Sequence, residues 1–221
     1  MRSAAARVSY HHGDLRNALI REGRRLLEEV GSSDLSLREV ARRAGVSIAA
    51  PTRHFDGKEA LLASIAASGF DELAAERGGL LATYKDDALE RLRQMMHRYV
   101  AFALRHKGLF YLMVGPTIID RSRYPELRDS SRLSFDLFAN SVMDYARQHR
   151  WPPDTLELLV YAAWAVEHGT AMLIIGDRVP RPEHPVSIPA MVDFSLTSFF
   201  ASIAAGPATF RKVASSRVRK A

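Results

Sequence analysis

The 221-residue sequence contains no cysteine. This absence excludes disulfides, thiolate zinc sites, cysteine-ligated iron–sulfur clusters and cysteine nucleophiles. Catalytic signatures are equally scarce: no G-x-S-x-G, H-E-x-x-H, P-loop or G-x-G-x-x-G occurs. Glu167 and His168 are adjacent rather than at a metal-ligand spacing. His11 and His12 are also a poor ligand pair, because neighbouring residues on a helix point about 100° apart. No charge-free run reaches the roughly 20 apolar residues of a membrane span. The longest, Phe194–Phe210, is interrupted by Ser195, Thr197, Ser198, Ser202 and Pro207. The first residues lack the apolar core of a signal peptide. No convincing period-2 strand is found. The expectation is a cytoplasmic all-α chain without membrane contact, cofactor or metal.

What is present is the balance of a folded chain, 47% hydrophobic and 25% charged, with a net charge of +6. The charge is unevenly placed. Residues 1–60 carry net +3, residues 61–204 net −2, and residues 205–221 net +5 with no acidic residue. A basic head, a slightly acidic body and a basic tail imply different tasks for different segments. The tail, residues 207–221, has few apolar anchors and reads as a disordered end.

Helical periodicity runs almost throughout. A first helix is expected over Leu15–Val30, ended by Gly31, with Gly23 marking a close helix crossing. Ser36-Leu37-Arg38-Glu39 has the Ser-x-x-Glu form of a capping box and opens a short helix to Ala44. Gly45 suits a left-handed closing residue, and Ser47 can cap a second short helix. Two short helices about a tight glycine turn are a helix-turn-helix arrangement. Longer helices follow over Lys58–Gly78, Asp86–Lys107, Leu109–Val114, Pro125–His149, Asp154–Gly176 and Ile188–Ala205. Prolines 116, 125, 152, 153, 180, 182, 185 and 189 punctuate the connections. Residues 177–189 form a proline-rich loop.

The stretch from Leu35 to Ile65 carries the most specific pattern. It joins Leu35-Ser36-Leu37-Arg38-Glu39-Val40-Ala41 and Ala44-Gly45-Val46-Ser47 to His54-Phe55, Lys58-Glu59 and Leu61-Leu62. This spacing resembles the N-terminal DNA-binding domain of the TetR family of bacterial transcriptional regulators, over residues 10–65. The chemistry is consistent with that likeness. Ser36 at a helix N-terminus offers a hydroxyl and free N–H groups to a phosphate. Arg38, one turn in, can contact guanine in bidentate fashion. Lys58 can clamp a further phosphate. The resemblance implies a recognition helix over Ser47–His54, with Ile48, Ala49 and Ala50 meeting thymine methyls. It also implies Thr52, Arg53 and His54 beside the backbone. His54 has a second reading, packing against Phe55. Many family members carry Tyr where this chain has Thr52, which keeps a hydroxyl without the reach. Pro51 removes a hydrogen bond from the recognition helix. Arg42 and Arg43 read as a solvated face, and Arg2 and Arg7 as either a minor-groove arm or an unengaged end.

The remaining helices, residues 66–206, read as an effector-binding and dimerisation domain. Asp154–Gly176 is apolar nearly all round, so it needs cover on two sides. Small residues of the last long helix, among them Ala190, Ser198, Ala201 and Ala205, let another helix approach. Two such helices from each of two copies build a four-helix interface about a two-fold axis. Trp164, His168 and Gly169 resemble the WHG-type C-terminal domain of one TetR subgroup. Met95, Met96, Tyr99 and Phe102 fall on one helix, followed by Phe110 and Met113. With Phe138, Trp164 and His168 they are candidates to line an effector pocket, the alternative for each being ordinary core. The slight negative charge favours a neutral or cationic, largely apolar effector.

The function these features imply is a homodimeric DNA-binding regulator, a repressor released from double-stranded operator DNA by a small molecule. The alternatives are a non-specific DNA binder using the basic tail, and an all-helical enzyme.

Overall fold

A computed structural model describes residues 12–118, 120–176, 178 and 186–218. Arg2, Arg7, His11 and most of the proline-rich loop lie outside the described residues. Among the described residues every regular element is helical. The chain packs as two compact units, residues 1–69 with 108–128, and residues 70–107 with 129–221.

The first unit starts with α1 (His12–Asp34) and α2 (Leu37–Arg43). Gly31, at φ +74°, interrupts regular helix where the sequence predicts an end, and one further turn follows. Ser36 caps α2, its hydroxyl accepting from the Glu39 N–H at 3.2 Å. Gly45 turns the chain at φ +69°, a conformation costly for residues with a Cβ. α3 (Gly57–Thr83) then crosses α1 at Gly23. A Cβ there would lie 2.6 Å from Ile65 Cδ1, so glycine is required for the approach. α3 runs past Gly78 and Gly79 because Leu80 is buried, and packing outweighs the roughly 1 kcal/mol penalty of each glycine.

Residues 108–128 complete this unit with α5 (Lys107–Val114) and the start of α6 (Pro125–Gln148). Glu28 on α1 accepts from the N–H groups of Gly108 at 2.8 Å and Leu109 at 3.0 Å, satisfying orphan donors of α5. Leu109, Phe110, Leu112 and Met113 are buried. Arg16 donates to Ser64 at 3.0 Å, pairs with Glu126 and lies 5.6 Å from the Phe55 ring centre.

The second unit is built on α4 (Ala88–Arg105), which packs against α7 (Leu156–Ile175) and α8 (Ile188–Ala204). The inward side of α7 carries Leu156, Val160, Ala163, Ala171 and Ile175, all buried. Its other side leaves Leu158, Tyr161, Ala162, Ala165 and Leu173 exposed, and α8 leaves Ala190, Phe194, Ser198, Ala201 and Ala205 exposed. By length and composition alone, Pro153–Ile175 is apolar enough to cross a membrane, at mean hydropathy 1.5.

Of the tail, residues 207–218 are helical where the composition reads as a disordered end. They belong to α9 (Gly206–Val218), turned away from α8 by 101° at Gly206, whose φ is +76°. Two aromatic residues hold it: Phe210 meets Trp151 edge-on at 5.7 Å between ring centres. The indole N–H of Trp151 in turn donates to the Ile203 carbonyl at 2.9 Å.

Candidate nucleic-acid interface

α2 and the turn after it present one continuous face. A groove of about 280 Å³ is bounded by Ser36, Arg38, Glu39, Arg42, Val46 and Ile48. Arg38 and Arg53 are exposed and, among the described residues, have no ion pair. Ile48 is 61% exposed, unusual for an isoleucine without a partner surface, and Ala49 and Ser47 are exposed beside it. This face offers the Arg38 guanidinium, a hydroxyl at a helix start and two apolar side chains. The hydroxyl suits phosphate seating, the guanidinium guanine recognition, and the apolar pair contact with thymine methyls.

The expected Ser47–His54 recognition helix is not continuous. Residues 48–50 form a turn and Pro51–Arg53 a single 3-10 turn. Pro51 has no N–H for the Ser47 carbonyl, which instead accepts from Ala50 at 2.9 Å. Ala50 is consequently buried at 8% exposure, so it leaves the set of residues that can face a base. Thr52 and Arg53 are exposed, but the Thr52 hydroxyl donates to the Ala49 carbonyl at 2.9 Å. His54 is half-buried, its ring 6.4 Å from that of Phe55. Lys58 donates to the Ser33 carbonyl at 2.7 Å, fastening the last turn of α1 to the start of α3. A phosphate at Lys58 has to share the ammonium with that carbonyl.

Arg42 and Arg43 are paired rather than merely solvated. Both donate to Glu39, Arg42 at 2.7 and 2.8 Å and Arg43 at 3.1 Å. Arg43 also forks onto both oxygens of Glu29 at 2.7 Å. Hydrogen bonds from Arg42, then Arg43, hold the Glu39 carboxyl down at about 2, and Arg43 lowers that of Glu29. The Glu39–Arg42 and Glu39–Arg43 spacings of three and four residues were the available signal for these pairs. The capping box is therefore half-formed in function: Ser36 caps, while the Glu39 side chain turns to the arginines.

In the second unit Met95, Met96, Phe102 and Phe138 are fully buried, and Tyr99 nearly so. The Tyr99 hydroxyl lies 3.0 Å from His168 Nδ1, and burial holds His168 below its ordinary range. Trp164 is 38% exposed, set edge-on to Phe135 at 6.0 Å and 5.6 Å from the His168 ring. Phe110 and Met113, the other two candidates, fall in the first unit. They are buried in α5, where a Cβ on Gly69 would meet Met113 Sδ at 2.5 Å.

Beside Tyr99 lies a buried arginine–carboxyl pair that sequence reasoning missed. Arg77 and Glu167 are both buried and 3.4 Å apart. Arg77 sits closer to Ser134, donating to its carbonyl at 2.7 Å and its hydroxyl at 3.0 Å. Glu167 Oε2 has no partner among the described residues. Burial pushes the Glu167 carboxyl up to about 8, with Arg77 pulling in the opposite direction. The signal for it was a lone carboxylate on the inward stripe of α7, one turn after Ala163.

Comparison with known proteins agrees with this geometry. Residues 19–65 match the family described as "Bacterial regulatory proteins, tetR family". Residues 92–199 match "Tetracyclin repressor-like, C-terminal domain"; the WHG-type subgroup suggested by Trp164, His168 and Gly169 does not come with that match. The nucleoid occlusion factor SlmA of Vibrio campbellii is 27% identical over 120 residues, 54% of this chain and 60% of that protein. The match thus spans less than two thirds of the relative. A solved structure of a protein with unknown function from Rhodococcus sp. RHA1 is 30% identical, with a TM-score of 0.76 over 90% of this chain and 100% of that one. The TetR family transcriptional regulator PfmR from Thermus thermophilus shares the fold at 18% identity, with a TM-score of 0.59 over 85% of this chain and 97% of that one. The chain belongs to the TetR family of bacterial regulatory proteins.

Proposed function

We propose that this protein is a cytoplasmic homodimeric repressor that binds a near-palindromic operator and is released by a small, largely apolar effector. The observation that carries the reading is the exposed face shared by Ser36, Arg38 and Ile48, with Arg38 free of any ion pair among the described residues. Base recognition falls to Arg38, Ile48 and Ala49. Ser36, Ser47 and Arg53 supply the phosphate contacts, with Thr52, His54 and Lys58 at the margin.

The exposed apolar sides of α7 and α8 support dimerisation. Leu158 is 68% exposed, Tyr161 58%, Leu173 48% and Phe194 77%. A run of this kind along two neighbouring helices calls for a partner surface. A second copy covering it places two heads on one duplex, for which half-sites about 34–36 Å apart are required. The same cover accounts for the apolar length of α7 without a membrane.

The effector reading rests on Met95, Met96, Tyr99, Phe102 and Phe138 together with Trp164 and His168. An effector acts only through a difference in affinity between two states of the dimer. The test is a gel-shift series on the promoter beside the gene, using wild type, Arg38→Ala and a chain lacking residues 207–221. The proposal expects Arg38→Ala to lose sequence preference while the truncation retains it. The reverse order favours the basic tail as a non-specific DNA binder. A pure dimer that shifts neither this promoter nor a random duplex refutes both.

A further inference from the structure

The regulator reading leaves the cleft beneath α9 without a task. This cleft has a volume of about 560 Å³ and lies wholly within the second unit. Its floor is Trp151, fixed by the bond to Ile203, with Leu159 and Ala162 of α7 beside it. Its roof is Phe210, and Arg211 stands at the rim. A volume of this size falls within the roughly 300–1,000 Å³ of small-molecule sites, which are mostly apolar with a few polar anchors.

The roof is incompletely seated. Phe210 touches the Trp151 ring and yet keeps 61% of its surface exposed. Arg211 is exposed and has no ion pair among the described residues. Lys212 beside it is exposed as well. On the facing side Asp154 is exposed, and the Thr155 hydroxyl is already spent on the Pro152 carbonyl at 2.7 Å.

We propose that this cleft binds a single-chain amphiphilic anion. Its apolar chain lies between Leu159, Ala162 and Phe210, and its acidic head pairs with Arg211. A duplex offers no apolar segment to fill these walls, and a cleft this small admits one chain rather than a bilayer. The competing occupant is a second copy of the protein, because Leu158 and Ala162 also belong to the exposed side of α7. The site is independent of operator binding, so its failure leaves the regulator reading intact.

The experiment uses the full chain with Trp164→Phe, which leaves Trp151 as its single tryptophan. The probe is 11-bromoundecanoate, whose bromine quenches an indole on contact. Saturable quenching of Trp151 is expected, competed by undecanoate. The neutral 11-bromoundecanol should bind about tenfold more weakly, and Arg211→Glu should weaken the carboxylate by about the same factor. Ala162→Phe fills the floor and should abolish quenching in monomer and dimer alike, with circular dichroism confirming the fold and light scattering recording the oligomer. Arg211→Glu, on the surface, keeps the test decisive if Ala162→Phe does not fold. Equal binding of acid and alcohol, or quenching untouched by Arg211→Glu, overturns the proposal. So does a dimer whose Trp151 the probe cannot reach, which assigns the cleft to the second copy.

Discussion

Replacing Glu167 with Gln should flatten part of the dependence of stability on pH. The wild-type carboxyl is fully buried, holds its proton up to about pH 8, and has an ordinary value of 4.5 when exposed. Between those values the folded chain binds more protons than the unfolded chain, so stability falls as pH rises. The slope for one group approaches 1.4 kcal/mol per pH unit, or about 2 kcal/mol between about pH 6 and 7.5. For a chain of this length that corresponds to a drop of roughly 4–8 °C in Tm. Gln has nearly the same shape and never ionises, so E167Q should lack this component. His168 works in the opposite direction, since burial lowers its pKa and its contribution grows with pH. It is present in both proteins and cancels in the difference between them. Urea unfolding at fixed protein concentration, at both pH values, measures that difference. Parallel profiles would show that Glu167 stays ionised as the partner of Arg77, and the reasoning from burial would be wrong.

Ser36→Ala removes the hydroxyl that caps α2 and should destabilise the first unit by about 1 kcal/mol, read by hydrogen exchange of residues 37–43. Arg38→Ala should relax preference at one base pair by about 1–3 kcal/mol, measured by competition between operator variants; uniform weakening on all sequences would reassign Arg38 to phosphate. Tyr161→Glu places a charge in the exposed α7 stripe and should yield a folded monomer in light scattering, with a persisting dimer arguing for another interface. Trp151→Phe leaves the Ile203 carbonyl without its donor and should cost about 1–3 kcal/mol in urea unfolding.

The local grammar of the head was legible in the sequence. Ser36 as a cap, Gly45 in the left-handed region and Gly23 at a helix crossing each follow from what one residue type permits, and each is found. The recognition segment shows where a family likeness overreaches. Pro51 was visible, but its effect was read as one lost bond rather than the replacement of a helix by a turn. The structure of the tail was hidden because α9 depends on Trp151, which lies far back along the chain. Glu28 and Arg77 were hidden for the same reason, since their partners lie 80 and 90 residues away. A window along the chain reads capping and periodicity; it does not read which distant carboxylate will meet which N–H.

The return of the chain to its first unit bears on how such proteins can be recombined. The head is not a contiguous cassette, because residues 108–128 belong to it while their flanking segments do not. A hybrid regulator joined at residues 69 and 70 would keep Glu28 but discard the Gly108 and Leu109 N–H groups it serves. It would also uncover Gly69 where Met113 and Leu109 now press against it. Functional chimeras should therefore need a two-segment graft, with the α5 stretch travelling alongside the operator-reading helices. Sequence exchange between relatives is under the same constraint: on the proposed reading a new operator preference follows from changing Arg38 or Ile48 alone, whereas a whole new head has to arrive in two pieces at once.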